Sequence, residues 1–289
     1  MSARIVITGA GGLVGHVLAD QARRAGFEVL PLTSATCDIT DLAAVETLGV
    51  GAADTVINCA AYTQVDAAET DEERAHAVNA VGPGNLATVC ARHGAGLVHI
   101  STDYVFGGTG DRPYELDDGT GPVSVYGRTK LAGEHAVLAA KPDAHVVRTA
   151  WVYEGATGSD FVATMRRLAA GDGPVEVVAD QIGSPTYVGD LVGALLQIAA
   201  GGVAPGVLHA VNAGQASRFD LAQATFEAVG ADPARVRPVD SGRFPRPAPR
   251  PAYSVLSTAG SAVAGLTPLR DWREALFAAV ASAPLPSTP

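Results

Sequence analysis

Thr8-Gly9-Ala10-Gly11-Gly12-Leu13-Val14-Gly15 is the stretch that decides the fold of this chain. It follows Arg4 to Thr8, whose apolar residues are typical of a buried strand, and it opens a helical pattern from Leu13 to Ala25 that Gly26 ends. Glycines at such a turn let the backbone approach a pyrophosphate, which then lies at the positive N-terminus of the helix. An ordinary strand-to-helix turn also uses glycine. The strand-loop-helix context at the start of the chain is what predicts dinucleotide binding.

Strand-like runs alternate with helical stretches through the first half of the chain. This alternation favours right-handed βαβ units and a parallel sheet. We therefore predict an α/β fold, a Rossmann-like doubly wound parallel sheet. The further strands are predicted at Val29 to Leu32, Thr55 to Asn58, Leu97 to Ser101 and Val146 to Thr149. Long helices are predicted near Asp71 to His93, with an interruption at Gly82-Pro83-Gly84, and from Ser124 to Ala140.

The pattern changes after about residue 151, where proline and glycine become dense, above all from Arg243 to Pro251. We predict a dinucleotide-binding domain over residues 1–150 and a smaller C-terminal α/β substrate lobe over residues 151–289. The boundary is approximate, and the chain is free to cross between the two lobes.

Composition narrows the class of protein. The 289 residues are 47% hydrophobic and carry a formal charge of −10, which argues against a nucleic-acid or anionic-membrane surface. The seven histidines lack metal-ligand spacing, and the three cysteines are typical of reduced residues in a cytoplasmic protein. No apolar stretch has the length of a membrane span. We expect a cytoplasmic protein with a small-molecule substrate and no metal site; a homo-oligomer is left open.

Tyr126 and Lys130 form the strongest chemical signal. Only two lysines occur in the chain, and one of them follows a tyrosine by four residues, which places both on one face of the predicted helix. Such a pair arises by chance in roughly one chain in twenty of this composition, so it gains weight from the glycine loop. Reduction of a ketone needs a proton donor, and a nearby ammonium lowers the pKa of a phenol by stabilising the phenolate. Nicotinamide-dependent carbonyl chemistry follows as the prediction.

Thr102 and Asp103 follow the predicted strand that ends at Ser101. The carboxyl ends of parallel strands frame the ligand crevice, so both side chains are expected to face it. A hydroxyl that satisfies the loop backbone is the simpler alternative. If Thr102 shares a crevice with Tyr126, it either holds the carbonyl oxygen or lowers the pKa of that phenol.

The second strand decides which dinucleotide is expected. An acid at its end would bind the ribose 2′-hydroxyl, but here the chain reads Leu32-Thr33-Ser34. The two hydroxyls favour NADPH, with NADH as the alternative. Asp38 either contacts the adenine together with Ile39 or caps a turn before Asp41.

At this point the residues resemble a known family, the dTDP-4-dehydrorhamnose reductases among the extended short-chain dehydrogenase/reductases, in their actinobacterial form. The resemblance runs along most of the chain. Besides the glycine loop, Asp38-Ile39 and Arg246 to Arg250, it rests on Asn58 to Asp66, Ser101 to Phe106, Tyr126 to Glu134, Arg148 to Tyr153 and Asp180 to Thr186.

The resemblance implies roles for individual residues. Tyr126 would donate the proton, with Lys130 as its partner and Thr102 as a tuning group. The substrate would be a nucleotide sugar whose 4-keto group is reduced, giving dTDP-L-rhamnose. Residues implied at the cofactor are Gly9, Gly12, Leu13, Val14, Asp38, Ile39, Ala61, Tyr62, Thr63, Tyr126 and Lys130. Residues implied at the substrate are Thr102, Asp103, Trp151 and Arg250, the last as a candidate contact for the diphosphate.

Two departures from the family pattern matter. Some members bind magnesium between subunits through a glutamate after the last glycine of the loop, where this chain has His16, so no Mg²⁺ is predicted. The family often has an asparagine where this chain has Tyr253, which leaves the role of that position open.

Another nucleotide-sugar 4-ketoreductase, an epimerase and a regulatory subunit remain as alternatives, whereas a dehydratase is disfavoured. A dehydratase on this scaffold would need a second carboxylate after Asp103, where the chain has Tyr104. An epimerase shares the tyrosine and the lysine, and differs by recycling its cofactor. A regulatory subunit that only binds NADP would not need Thr102, Tyr126, Lys130 and Trp151 together.

Overall fold

The structure is a computed structural model that describes residues 4–156 and 158–282. Its strands are β1 Arg4–Thr8, β2 Glu28–Leu32, β3 Asp54–Asn58, β4 Gly96–Thr102, β5 His145–Thr149, β6 Val152–Tyr153, β7 Val175–Val178, β8 Ile182–Gly183, β9 Thr186–Tyr187, β10 Gly206–His209, β11 Ala216–Ser217 and β12 Val236–Val239. Its α-helices are α1 Leu13–Arg24, α2 Leu42–Glu46, α3 Val65–Ala68, α4 Glu72–His76, α5 Gly82–His93, α6 Val125–Ala140, α7 Phe161–Ala169, α8 Val188–Ala200, α9 Arg218–Ala228, α10 Ala259–Val263 and α11 Trp272–Ser282.

The central sheet has six strands in the order β10-β5-β4-β3-β1-β2, and every pairing in it is parallel. Its first strand shows why the sheet is covered on both faces. Ile5 and Ile7 pack into one core with residues of α1 and α8, while Val6 packs into a second core with residues of α5. Alternate residues of a strand point to opposite faces, so helices must cover both. The predicted doubly wound α/β fold is confirmed.

Helix α1 follows the glycine loop. It begins directly after Gly12 and ends at Arg24, one residue short of the predicted end. Gly26 follows with φ +87°, a left-handed conformation that glycine adopts at low cost and that stops the helix.

The long helix predicted near Asp71 to His93 is present, but its irregularity lies earlier than predicted. A π-helical segment at Ala77–Val81 joins α4 to α5, and Gly82 to Gly84 are regular. Pro83 has no N–H to donate to the carbonyl of Asn79 four residues before it. The bonding pattern is therefore disturbed on the N-terminal side of the proline.

The second half of the chain forms three two-stranded sheets and also completes the large sheet. Two-stranded sheets (β7 with β12, β8 with β11, β6 with β9) pack with α7, α9 and α11. Between them, α8 packs on the large sheet and β10 pairs with β5. The chain thus passes from the two-stranded sheets to the large sheet and back. The boundary at residue 150 stays a prediction. Residues 1–3, 157 and 283–289 of the two predicted domains lie outside the described ranges.

Candidate active site

The carboxyl ends of β1, β3, β4 and β5 surround two adjoining cavities. The larger, about 450 Å³, is lined by Thr102, Tyr126, Lys130 and Trp151 among others. The smaller, about 410 Å³, lies over the glycine loop and the end of β2. Both cavities touch Gly12, Cys59 and Ala61, so one elongated ligand can occupy the two. Ligands of open parallel sheets bind at this edge.

The glycine loop fits a dinucleotide in two respects. Gly9 has φ +70°, and a Cβ there would lie 2.5 Å from the backbone nitrogen of Ala60. A Cβ at Gly15 would lie 2.3 Å from the carbonyl oxygen of Gly9. Only glycine permits this close packing of loop, helix and neighbouring strand.

The N-terminus of α1 is open to an anion. Its N-cap residue is Gly12, no side chain of the described residues caps it, and its first turn carries no acidic group. The free N–H groups and the helix dipole suit a pyrophosphate. Thr149, which lines the larger cavity, also has a buried hydroxyl without a partner among the described residues. These features fit a bound dinucleotide.

The smaller cavity is suited to the adenosine end. Thr33, Ser34, Asp38 and Ile39 all line it. Asp38 also accepts hydrogen bonds from the backbone nitrogen of Thr40 at 2.9 Å and from its hydroxyl at 2.8 Å, which lower the pKa of the carboxyl. The turn role considered from the sequence is present, and its contact with the cofactor stays a prediction.

Helix α6 places Tyr126 and Lys130 on the wall of the larger cavity. Ser124 caps the helix by accepting a hydrogen bond from the nitrogen of Gly127 at 3.1 Å. Lys130 is buried, and its Nζ donates to the carbonyl oxygen of Ile100 at 2.7 Å. This bond fixes the ammonium against β4, and Lys130 follows Tyr126 by one turn of the helix.

The pKa of Tyr126 differs in direction from the prediction made from the sequence. Burial raises the pKa of Tyr126, although an ammonium in reach had been expected to lower it. Burial also lowers the pKa of Lys130 to about 8. Both shifts have the same physical cause, since a low-dielectric environment disfavours the charged form of each group. The group that lowers the pKa of Tyr126 is Thr102, through a hydrogen bond.

Thr102 has one proton and two acceptors for it. Its hydroxyl lies 3.0 Å from Oδ1 of Asp103 and also within hydrogen-bonding reach of Tyr126. Donation to one excludes donation to the other, because a hydroxyl carries one proton. Thr102 also accepts from the backbone nitrogen of Tyr104 at 3.2 Å, so the backbone role considered from the sequence is present as well.

Asp103 is buried, and both of its oxygens are engaged. Ser254 donates to Oδ2 at 2.6 Å, and Thr102 lies beside Oδ1. Burial raises the pKa of this carboxyl to about 6 in spite of these hydrogen bonds. Asp103 therefore ties the C-terminal segment to the floor of the cavity.

Trp151 follows β5 in a strained conformation. Its φ of 46° is the only positive φ of a non-glycine residue in the described ranges. The guanidinium of Arg218 lies 3.6 Å from the centroid of its ring. A Cβ at Gly183 would lie 2.5 Å from Cε2 of the indole. The indole is therefore held tightly at the cavity, and strained residues often occur at functional sites.

The structure brings most predicted residues to the two cavities. Leu13, Val14, Ala61 and Thr63 line the larger one, and Gly9, Gly12, Asp38 and Ile39 line the smaller one. Their individual roles stay predictions.

Two predicted residues lie elsewhere. Tyr62 lines neither cavity, and its backbone bonds the side chain of Asn79. Arg250 lines neither cavity as well, and its guanidinium forms a two-pronged ion pair with Asp66. Their predicted contacts with ligand are also untested. Within the described ranges no three His, Cys, Asp or Glu side chains are grouped to hold a metal ion.

The residue that sequence reasoning missed is Arg218, which lines the larger cavity from the start of α9. It is 92 positions away from Tyr126 and belongs to no motif, so only the tertiary fold brings it to the site. Cys59 was also missed; burial raises its pKa to about 12, which makes it an unreactive wall residue.

The fold and the site together define a dinucleotide-dependent oxidoreductase, in which Tyr126 is the predicted proton donor. The model of the family described as RmlD substrate binding domain matches residues 3–284, and the chain belongs to this family.

Several named proteins are similar to this chain along most of its length. A dTDP-4-dehydrorhamnose reductase of Mycolicibacterium smegmatis is 73% identical, over 100% of this chain and 90% of that protein. The crystal structure of a dTDP-4-dehydrorhamnose reductase of Bacillus anthracis in complex with NADP has a TM-score of 0.90 at 35% identity, over 96% of this chain and 98% of that one. A reductase of the same name from Clostridium acetobutylicum has a TM-score of 0.89 at 38% identity, over 96% and 98% of the two chains.

Proposed function

We propose that this chain catalyses the NADPH-dependent reduction of the 4-keto group of dTDP-4-dehydro-6-deoxy-L-mannose, giving dTDP-L-rhamnose. The observation that carries the proposal is the meeting of Thr102, Tyr126 and Lys130 in one cavity next to a dinucleotide loop. The identity of 73% with a named dTDP-4-dehydrorhamnose reductase supports the substrate. NADPH is the cofactor, and NADH remains the alternative to be compared in the assay.

The glycine loop would hold NADPH, which when bound would supply the hydride that reduces the sugar carbon. Tyr126 would donate its proton to the sugar oxygen as negative charge develops there. The raised pKa of Tyr126 keeps the phenol protonated at neutral pH, which a donor requires.

The phenolate left behind would be stabilised by two neighbours. Lys130 provides a buried positive charge one helical turn away. Thr102 can turn its proton from Asp103 to Tyr126, which places a hydrogen bond on the new charge. Preorganised donors of this kind stabilise charge at little reorganisation cost because the fold already fixes them.

The substrate side of the proposal rests on Trp151 and the residues around it. Its indole forms one wall of the cavity, and Thr102 and Asp103 lie at its floor. The partner is a small nucleotide sugar, and the enzyme is proposed to act in the cytoplasm. Among the described helices, none combines the length and apolar character that crossing a membrane requires.

Redox stoichiometry tests the proposed function. Purified protein is supplied with dTDP-4-dehydrorhamnose and either NADPH or NADH, and cofactor oxidation is measured against sugar product. We expect one reduced cofactor consumed for each sugar reduced. Turnover of the sugar with the cofactor recycled would instead establish an epimerase, and absence of turnover would leave a binding protein.

A further inference from the structure

Two cationic side chains line the larger cavity, Lys130 and Arg218. Lys130 is engaged, since its Nζ donates to the carbonyl oxygen of Ile100 at 2.7 Å. Arg218 is different. Among the described residues its side chain has no carboxylate in an ion pair, and its close contacts are the rings of Trp151 at 3.6 Å and Phe161 at 5.2 Å.

A guanidinium that stacks on an aromatic ring keeps its N–H groups available. The stack uses the flat face of the group, while its five donors point outward in the plane. Those donors suit two oxygens of a phosphate. Burial lowers the pKa of Arg218 to about 10, so the group is partly desolvated yet stays charged at neutral pH.

The charged groups near Arg218 do not form an ion pair with its guanidinium among the described residues. Asp103 and Tyr104 are close enough to favour its charged form, and Arg250 disfavours it. Both oxygens of Asp103 are already engaged with Thr102 and Ser254. Arg250, the arginine expected from the sequence to meet an anion, is held by Asp66 instead of facing the cavity.

The position of Arg218 indicates which anion it meets. It lines the larger cavity, where its guanidinium stacks on Trp151, and not the smaller one, whose lining would hold the adenosine end of the dinucleotide. It is also the first residue of α9, and the N-terminus of a helix favours a bound anion. We propose that Arg218 binds the diphosphate of the nucleotide-sugar substrate. This inference rests on the proposed function for the identity of the ligand.

The test compares a charged and an uncharged probe. Binding of thymidine diphosphate and of thymidine to the complex with NADP⁺ is measured by calorimetry or by inhibition, for the wild type and Arg218→Gln. Loss of a charge-assisted, two-pronged contact is expected to raise the dissociation constant of thymidine diphosphate roughly tenfold to a hundredfold. The dissociation constant of thymidine should change by less than about twofold, because thymidine carries no phosphate.

Two further variants complete the design. Arg218→Lys keeps a positive charge and should recover part of the affinity for thymidine diphosphate, which shows that charge and not packing is responsible. Arg273→Gln is the matched control, because Arg273 stacks on the other tryptophan, Trp272, at 5.0 Å and pairs with the exposed Glu227. It should bind both probes like the wild type.

The outcomes separate this inference from the proposed function. Equal weakening of both probes by Arg218→Gln would mean that the arginine only supports Trp151, and unchanged binding of thymidine diphosphate would also overturn the inference. In kinetics, a raised KM for the sugar nucleotide with an unchanged KM for NADPH supports it. If the wild type fails to reduce dTDP-4-dehydrorhamnose, the proposed function fails, while the comparison of the two probes still decides the role of Arg218.

Discussion

At the scale of single residues, the proposed reaction depends on a phenol that holds its proton. Burial, not the neighbouring ammonium, dominates the pKa of Tyr126 and raises it. For a reductase this is favourable, because the reaction begins with a donor. Lys130 and Thr102 then matter after the transfer, when the phenolate must be stabilised.

Tyr126→Phe removes the donated proton and little else. Turnover should fall by at least about 10² to 10⁴-fold, the usual contribution of general acid catalysis. The dissociation constant of NADPH should change little, because the ring and its packing against Tyr104 remain. Steady-state kinetics and fluorescence titration of NADPH measure the two quantities.

The matched control for this substitution is Tyr253→Phe. The hydroxyl of Tyr253 donates to Gln215 at 3.0 Å and lies outside the lining of both cavities. This variant should turn over like the wild type. Normal turnover by Tyr126→Phe would remove the tyrosine from the mechanism.

The pKa of Lys130 leads to a predicted pH dependence of kcat/KM. Its pKa of about 8 means that the amine is charged below this pH and neutral above it. Because a neutral amine cannot stabilise the phenolate, kcat/KM should fall as pH rises through about 8. In Lys130→Arg the guanidinium stays charged, so this fall should disappear even though the bulkier group lowers the activity overall. A pH–rate profile of both proteins checks this, and an alkaline limb that persists unchanged in the variant would contradict it.

At the scale of elements, two helical glycines differ in what surrounds them. Gly133 lies in α6 where the π-helical segment passes, and a Cβ there would lie 2.0 Å from the carbonyl oxygen of Asn79. Gly193 lies in α8 and faces open space. The side chain of Asn79 bonds Tyr62 and Thr129, so the segment cannot move away without losing these contacts.

Alanine at the two positions should therefore have opposite effects. Gly133→Ala forces apart α6 and the π-helical segment and should lower the free energy of unfolding by about 1–3 kcal/mol. Gly193→Ala should raise it by about 0.5–1 kcal/mol, because glycine is a poor helix former. Denaturant unfolding of both variants measures the difference. A stable Gly133→Ala protein would mean that the two elements are not packed as described.

The positions of the strands and helices were largely predictable from the sequence. The contacts between elements that lie far apart in the chain were not. The strand and helix patterns of the first half carry strong local signals, so β1 and α6 were placed within a residue or two of their bounds. The interruption of the long helix was misplaced at Gly82 to Gly84, because the missing N–H of Pro83 disturbs the bonding on its N-terminal side, at Ala77–Val81. Pairing of β10 with β5 and the arrival of Arg218 at the cavity depend on contacts between distant parts of the chain, for which the sequence carries no local pattern.

At the scale of the whole molecule, the cavity of the candidate site is lined by residues from distant parts of the chain. Thr102 ends a strand of the large sheet and Tyr126 lies on α6, while Arg218 begins α9, which packs with the two-stranded sheets. The C-terminal segment closes the arrangement, since Ser254 bonds Asp103 across 151 positions of the chain and Arg250 bonds Asp66. The first 150 residues alone therefore do not contain the whole cavity lining.

The measurement that tests this account most directly is a crystal structure of the enzyme with NADP⁺ and dTDP-L-rhamnose. The account predicts that Oη of Tyr126 lies about 2.6–3.2 Å from the oxygen on the sugar's fourth carbon, with the nicotinamide ring against that carbon. A complex in which the sugar oxygen meets a different donor, with Tyr126 out of reach of the nicotinamide ring, would contradict it.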